Sequence, residues 1–431
     1  MCGLNVVKGM VVFMSIIFKN GYVYSNGVIV KRDIKVENGI ITDISNNIIE
    51  TENEEVVNCE GNYILPAFTD VHVHFREPGY EYKETIKTGS MAGLYGGFGH
   101  VCTMPNLNPV PDNLDHLKIQ LDAIDKDAVI KVHPYGSITK GEKGLEVSDM
   151  ENMASFVIGY SDDGCGVQNE EVMYEAMERA AKLNKPICGH CEVKKETGTG
   201  VINDGVYARM HNIPGIPNSS EFMEVDRNIR IAKKTGCHFH VCHVSTRESI
   251  DMIREAKEDG INVTCETGPQ YLLLSEMDMK DDGRYRFQPP LRSLRDRIVL
   301  LEALRDGTID MIATDHAPHS IEEKSKGIAH SANGIVGLEC AFPILYTYLV
   351  KEKVISLADL MRLMVENPKK HFGIGSSIAV GENAEFSIWD LNTLTKIDSN
   401  EFKSKGRFTP FDGKEVVAKR ILTLNGKNIW K

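Results

Sequence analysis

The sequence predicts an α/β protein: a closed (β/α)8 barrel of the TIM type, with a small β-sandwich formed by the N- and C-terminal segments. Three observations carry this. Eight short apolar runs alternate with amphipathic helical stretches between about residues 64 and 374, and strands alternating with helices make a parallel sheet with right-handed crossovers. Eight such units match a closed barrel, with an open doubly wound sheet as the alternative. The two ends differ from the middle and resemble each other, reading as short strands punctuated by turns.

In chain order, residues 1–13 are apolar but lack the basic region and small-residue cleavage site of a secretory signal. They are expected to be an extension ahead of a second start at Met14. Residues 14–62 open with IIFKNGYVYSNGVIV, whose two Asn-Gly dipeptides are hairpin signals. The eight runs follow as Ile64–Phe75, Gly99–Pro105, Val129–Ser137, Ser155–Ser161, Pro186–His190, His238–Val244, Asn262–Glu266 and Met311–Asp315. Helical stretches such as Glu170–Asn184, Ser220–Thr235 and Leu294–Gly307 separate them, so residues 63–375 are assigned to the barrel. From Ser377 the pattern returns to short strands, AEFSIWDL and then EVVAKRILTLNGKNIW with a third Asn-Gly. Neither end alone is large enough to bury a good core. Residues 14–62 and 376–431 are therefore expected to pair into one composite sandwich.

Composition excludes several classes. Of 431 residues, 49 are Lys or Arg and 61 are Asp or Glu, a formal charge of −12. That balance argues against a nucleic-acid protein, which needs a basic face. A chain 42% hydrophobic and 26% charged is neither disordered nor collagen-like. No run approaches the roughly 20 apolar residues of a membrane span. Of the ten cysteines, Cys102, Cys188, Cys237, Cys242 and Cys265 lie inside strand-like runs. They read as reduced, buried thiols of a cytoplasmic protein.

The chemistry gathers where the apolar runs stop. The first run ends in DVHVHFREPG. Side chains at i and i+2 share a strand face, so Asp70, His72, His74 and Arg76 point the same way. Two imidazoles at this spacing can grip one metal ion; two histidines merely hydrogen-bonded inside a barrel are the bland alternative. Their company favours the metal. The fourth run ends in YSDDG, the fifth in CGHC, the sixth in HVCHVS and the eighth in ATDHAPH. Barrel strands open their carboxyl ends onto one mouth. His72, His74, Asp162 or Asp163, His190, His243 and Asp315 then converge there. Four imidazoles with two carboxylates suit a pair of Zn²⁺ or other borderline divalent ions, with one carboxylate bridging. Strand geometry alone does not choose between Asp162 and Asp163. Cys188 and Cys191 flank His190 in a C-x-x-C that closes a strand instead of opening a helix, so they read as packing residues, not as a redox pair.

These stretches, with TMPNLNPVPDN, YSDDGCGVQNE, HFHVCHVSTRES and PPLRS, resemble the dihydroorotases of the amidohydrolase superfamily over most of residues 64–345. The resemblance implies reversible interconversion of N-carbamoyl-L-aspartate and (S)-dihydroorotate in de novo pyrimidine (UMP) biosynthesis. It implies two Zn²⁺ per chain: one at His72, His74 and Asp315, the other at His190 and His243, bridged by Asp163 and a hydroxide. Most of the superfamily bridges with a carboxylated lysine, and no lysine ends the fourth run. Asp315 is implied as the acid/base. Arg76, Asn106 and His319 are implied as the carboxylate clamp, and Gln288, Asn333 and Gly334 as further substrate contacts. Implied partners are the small-molecule substrate, a second copy in a homodimer, and aspartate transcarbamoylase; no nucleic acid and no membrane are expected.

Three departures bear on the substrate. The family's N-P-P-L-R-S reads QPPLRS here, with Gln288; its T-P-H-H is Gly268 to Tyr271, GPQY; and Asn333 stands where phenylalanine is frequent. The rival readings are a hydantoinase, dihydropyrimidinase or allantoinase, and a non-catalytic dihydroorotase-like scaffold of aspartate transcarbamoylase. A scaffold would be expected to lose metal ligands, and all six stand here.

Overall fold

The computed structural model describes residues 10–12, 15–25, 27–52 and 54–431. Strands from both ends of the chain interleave in one nine-stranded sheet. Its order is Met10–Val12, Asn428–Trp430, Lys419–Asn425, Glu385–Asp390, Tyr63–Pro66, Ser15–Ser25, Val28–Glu37 and Ile40–Ser45, with Glu55–Asn58 beside the first half of Ser15–Ser25. The apolar face of this sheet forms its own buried cluster, in which Phe18 meets Phe386 edge-on at 5.0 Å between ring centroids.

The sheet differs from the sequence reading in three places. Tyr63–Pro66, read as the start of the first barrel strand, pairs with Glu385–Asp390 in this sheet. Met10–Val12, inside the stretch read as an extension, pairs antiparallel with Asn428–Trp430; the rest of residues 1–13 lies outside the described residues. Asn20-Gly21 is not a hairpin. The strand Ser15–Ser25 runs through it with a bulge between Phe18 and Gly21, and Asn20 takes φ 63°. Buried Asp33 accepts from the freed Asn20 N–H at 2.8 Å. A Cβ on Gly21 would stand 2.5 Å from the Ile64 side chain, so the close approach requires glycine. By contrast, Gly27 and Gly426 lie in true hairpin turns.

The middle of the chain is α/β. Its first three parallel strands are Phe68–Val73, Phe98–Thr103 and Lys131–Pro134. The third continues past Tyr135 as Gly136–Ser137 and pairs with Tyr160–Ser161, then come Ile187–Gly189, Phe239–Val241, Val263–Thr267 and Met311–Ile312, all parallel. Val73 forms a parallel bridge with His316, and His74 N–H donates to His316 O at 2.8 Å. The first strand thus meets the segment that follows the eighth. Each expected run overlaps one of these strands, with Phe98 and Thr267 lying just outside theirs, and the predicted ligands stand at or near the strand ends. Helices begin at residues that can take up free N–H groups: Asn113, Asn169, Thr246 and Ser293 each accept from the first turn.

The two parts are fastened by aromatic packing and a buried polar cluster. Phe342 stacks on Phe68 at 4.8 Å and meets Trp389 at 4.5 Å. Glu385 of the terminal sheet accepts from Lys131 at 2.8 Å and Ser376 at 3.0 Å, and lies 3.2 Å from His100. Among the described residues, no helix is long and apolar enough to cross a membrane.

Candidate metal centre and substrate pocket

The strand ends bring the predicted donors together. His72, near the end of the first strand, and His74, just past it, both present Nε2 to Asp163, at 3.4 Å each, and to Asp315, at 3.5 and 3.1 Å. On the other side of Asp163, His243 Nε2 lies 3.3 Å away and His190 Nδ1 3.7 Å, with 2.9 Å between those two nitrogens. Two donor triads result, His72–His74–Asp163 and Asp163–His190–His243, each with its ligand atoms within 4.8 Å of one another and each buried. They share Asp163. His72 Nε2 is buried and has no hydrogen-bond partner, which a cation at the triad would supply. The donor set therefore fits a pair of divalent ions. His243 and Asp315 hold left-handed backbone, φ 34° and 50°, a local strain that clusters at functional sites.

The Asp162–Asp163 ambiguity is resolved by what each carboxylate touches. Asp162 accepts from Ile138 N–H at 2.7 Å, Thr139 N–H at 3.0 Å and the Thr139 hydroxyl, so it anchors the loop after the third strand. Asp163 faces the four imidazoles. Burial alone would raise its pKa, but His72, His190 and His243 outweigh burial and hold it well below the usual carboxylate range. The histidines are oriented from behind. Glu266 Oε1 sits 2.6 Å from His72 Nδ1, Asn106 Oδ1 2.9 Å from His74 Nδ1, and Glu192 Oε2 3.1 Å from His190 Nε2. Despite their burial, Glu266 and Glu192 are both pulled to about 2 by these imidazoles.

A cavity of about 290 Å³ opens over the cluster and is lined by Arg76, Asn106, Gln288, His319, Asn333 and Gly334 among others. All six predicted substrate contacts thus reach it. Arg76 Nε donates to Pro318 O at 3.3 Å, and its Nη2 lies 3.5 Å from His319. His319 Nε2 faces Asn333 O at 2.7 Å, while its Nδ1 faces the Lys83 ammonium at 3.3 Å. Glu323 Oε2 also lies 3.2 Å from that Nδ1. Burial, Arg76 and Lys83 push His319 down to about 3, so it is neutral.

The Dihydro-orotase-like family model matches residues 61–249. A dihydroorotase of Geobacillus sp. (strain WCH70) is 44% identical over 423 residues, which is 97% of this chain and 99% of that protein. One of Bacillus cytotoxicus is also 44% identical, over the same shares. The chain belongs to the dihydroorotase family. In three dimensions it is similar to the L-hydantoinase (dihydropyrimidinase) of Arthrobacter aurescens, with a TM-score of 0.86 at 26% identity, covering 96% of this chain and 95% of the other. A D-hydantoinase (dihydropyrimidinase) from Thermus sp. shares the fold at 24% identity and a TM-score of 0.84, covering 96% and 94%.

For a dihydroorotase-family chain, the three departures have distinct surroundings. Gln288 lines the cavity but spends its amide nitrogen on Glu192 Oε1 at 3.0 Å. Tyr271, in the GPQY segment, is buried outside the cavity lining and donates to Pro289 O at 2.8 Å, so it braces the residue next to Gln288. Asn333 offers its carbonyl to His319. Sequence reasoning missed Glu266, Glu192 and Arg286. Glu192 had a local signal, since it directly follows the CGHC segment. A carboxylate ending the apolar run of the seventh strand was the signal for Glu266.

Proposed function

We propose that this chain is a zinc-dependent dihydroorotase that opens (S)-dihydroorotate to N-carbamoyl-L-aspartate and closes it again in pyrimidine biosynthesis. The observation that carries this reading is the shared position of Asp163 between two imidazole pairs, beneath a cavity walled by Arg76. The parallel strands are read as a closed (β/α)8 barrel, with the Val73–His316 bridge as its seam. The terminal sheet is read as the sandwich. Residues His72, His74 and Asp315 would hold one Zn²⁺, and His190 and His243 the other, with Asp163 between them. When bound, the two ions supply a water made nucleophilic near neutral pH and polarise the ring carbonyl.

The chain's own residues do the rest. Arg76, Asn106 and neutral His319 bind the ring carboxylate, Arg76 through a planar charged donor. Asp315 takes the proton of the attacking water on a carboxylate oxygen. It returns that proton to the ring nitrogen as the carbon–nitrogen bond breaks, leaving a ureido group and a carboxyl group that releases the water's second proton to solvent. Closure runs the same path backwards, with Asp315 receiving the proton from the ureido nitrogen. The buried free thiols fit a reducing, cytoplasmic setting.

The test is turnover of L-dihydroorotate by zinc-loaded protein beside dihydrouracil, hydantoin and allantoin, with metal content measured on the same sample. Turnover of dihydroorotate alone, with two ions per chain, is expected. Activity only on the uncharged rings would move the chain to hydantoinase chemistry, and a folded, metal-free, silent protein would favour the scaffold reading.

A further inference from the structure

Arg286 is the unexplained cation of the pocket. It lines the same cavity as Gln288 and Arg76. Among the described residues its guanidinium makes no hydrogen bond and no ion pair, yet its Nε and Nη1 are sealed from solvent. The carboxylate whose field acts on it, Glu192, is already engaged by Gln288 on one oxygen and His190 on the other. The backbone at Arg286 is pinned. Its carbonyl accepts from Gly334 N–H at 3.0 Å and from Nζ of Lys324 at 2.9 Å, and Lys324 itself is only 1% exposed. The side chain is therefore held at the cavity with donors unspent. Such an arrangement costs stability unless an incoming acceptor repays it. Burial pushes Arg286 down to about 10, which leaves it charged at neutral pH.

We infer that Arg286 donates to the urea carbonyl of the substrate and stabilises the charge that arrives there when the ring opens. The inference rests on the dihydroorotase reading. Dihydroorotate presents three acceptors: its carboxylate, the ring carbonyl that is attacked, and the urea carbonyl. The proposed function assigns the first to Arg76 and its neighbours and the second to the metal centre; the third, beside the further contacts Gln288, Asn333 and Gly334, has no charged donor until Arg286 supplies one. The chemistry gives that contact a purpose. When the bond between the attacked carbon and the ring nitrogen breaks, its electron pair goes to the nitrogen and delocalises onto the urea oxygen until Asp315 protonates the nitrogen. A fixed guanidinium at that oxygen is worth more in the transition state than in the ground state. In the closing direction the same donor makes the ureido N–H easier to deprotonate. Gln288 Oε1, also buried without a partner, is an acceptor two residues along for an N–H of the same urea.

The experiment compares Arg286→Met, Arg286→Lys and the unaltered chain, all zinc-loaded, on dihydroorotate and its 2-thio analogue, whose sulfur is a weak acceptor. Arg286→Met should lower kcat for dihydroorotate by about 100-fold, lower turnover of the thio analogue far less, and leave Tm unchanged or raised, because an unpaired buried charge is gone. Arg286→Lys should recover part of the loss. Equal losses on both substrates, or a fall in Tm that tracks the lost activity, would overturn the assignment. No turnover of dihydroorotate by the unaltered chain would instead overturn the functional reading, and this inference with it.

Discussion

Glu266 Oε1 lies 2.6 Å from Nδ1 of His72, and both side chains are sealed from solvent. The contact fixes the His72 tautomer with its proton on Nδ1 and its Nε2 lone pair turned to Asp163 and Asp315. Carboxylates behind ligating histidines tune metal affinity. Glu266→Gln should weaken zinc binding by about 10- to 100-fold while the fold persists. Competition with a chromogenic chelator reads the affinity, and an unchanged constant would remove Glu266 from the metal site.

Asp162 and Asp163 should separate cleanly on substitution. Asp163→Asn should lose metal, with little change in the loop after the third strand. Asp162→Ala should keep two ions but strand the Ile138 and Thr139 donors, a loss of about 1–3 kcal/mol. Metal analysis paired with urea unfolding distinguishes the two; the reverse pattern would exchange the roles.

Arg76 is buried beside His319 at the cavity wall. Arg76→Met should reduce kcat/KM for dihydroorotate by about 100-fold, the worth of a charged hydrogen-bonded contact. Steady-state kinetics on dihydroorotate and dihydrouracil check this, since the uncharged ring should be far less affected. Equal sensitivity of the two rings would refute a carboxylate role.

The junction between the terminal sheet and the α/β region should be acid-sensitive. Burial alone would raise Glu385, but His100 and Lys131 hold it at about 2, below its ordinary 4.5. A depressed carboxylate stabilises the fold above its unfolded pKa, and this is lost as pH falls from about 4.5 toward 2. His133, stacked on His100 at 5.3 Å, is pushed down to about 4 by burial, with His100 and Lys131 beside it acting in the same direction. The unfolded chain protonates it first, so stability also falls between pH 6.5 and 4. Comparing urea unfolding of Glu385→Gln with the unaltered chain at pH 6 and pH 3 should show a gap on the order of 2 kcal/mol at pH 6 that shrinks by roughly half at pH 3. A gap independent of pH would mean the ion pair contributes nothing.

The sequence was most legible where its signals are local. The period of two that aligns His72, His74 and Arg76 needs only strand geometry; the donor cluster takes up the two histidines and the cavity above it is lined by His74 and Arg76. Asp162 and Asp163 were not separable, because the deciding partners, Ile138 and Thr139, come from another strand end. Glu266 stayed hidden for a similar reason: His72 is 194 positions away. Asn20-Gly21 carries a strong hairpin signature, but Asp33 and the packed Ile64 overrule it. Tyr63–Pro66 reads as part of one long apolar strand because nothing local marks the step to Phe68, where the chain changes sheets.

The interleaving of Glu385–Asp390 between Tyr63–Pro66 and Lys419–Asn425 has a consequence for synthesis. Ribosomes release the chain from its amino end, and early segments begin to organise before later ones exist. Tyr63–Pro66 must wait with a bare hydrogen-bonding edge while more than three hundred residues are made. An open edge of that kind invites association with other nascent chains. The α/β region can assemble meanwhile, so the protein reaches its working pocket and its finished terminal sheet at different moments, and a message cut short before residue 385 would yield a chain that carries the site residues but keeps that edge open to association.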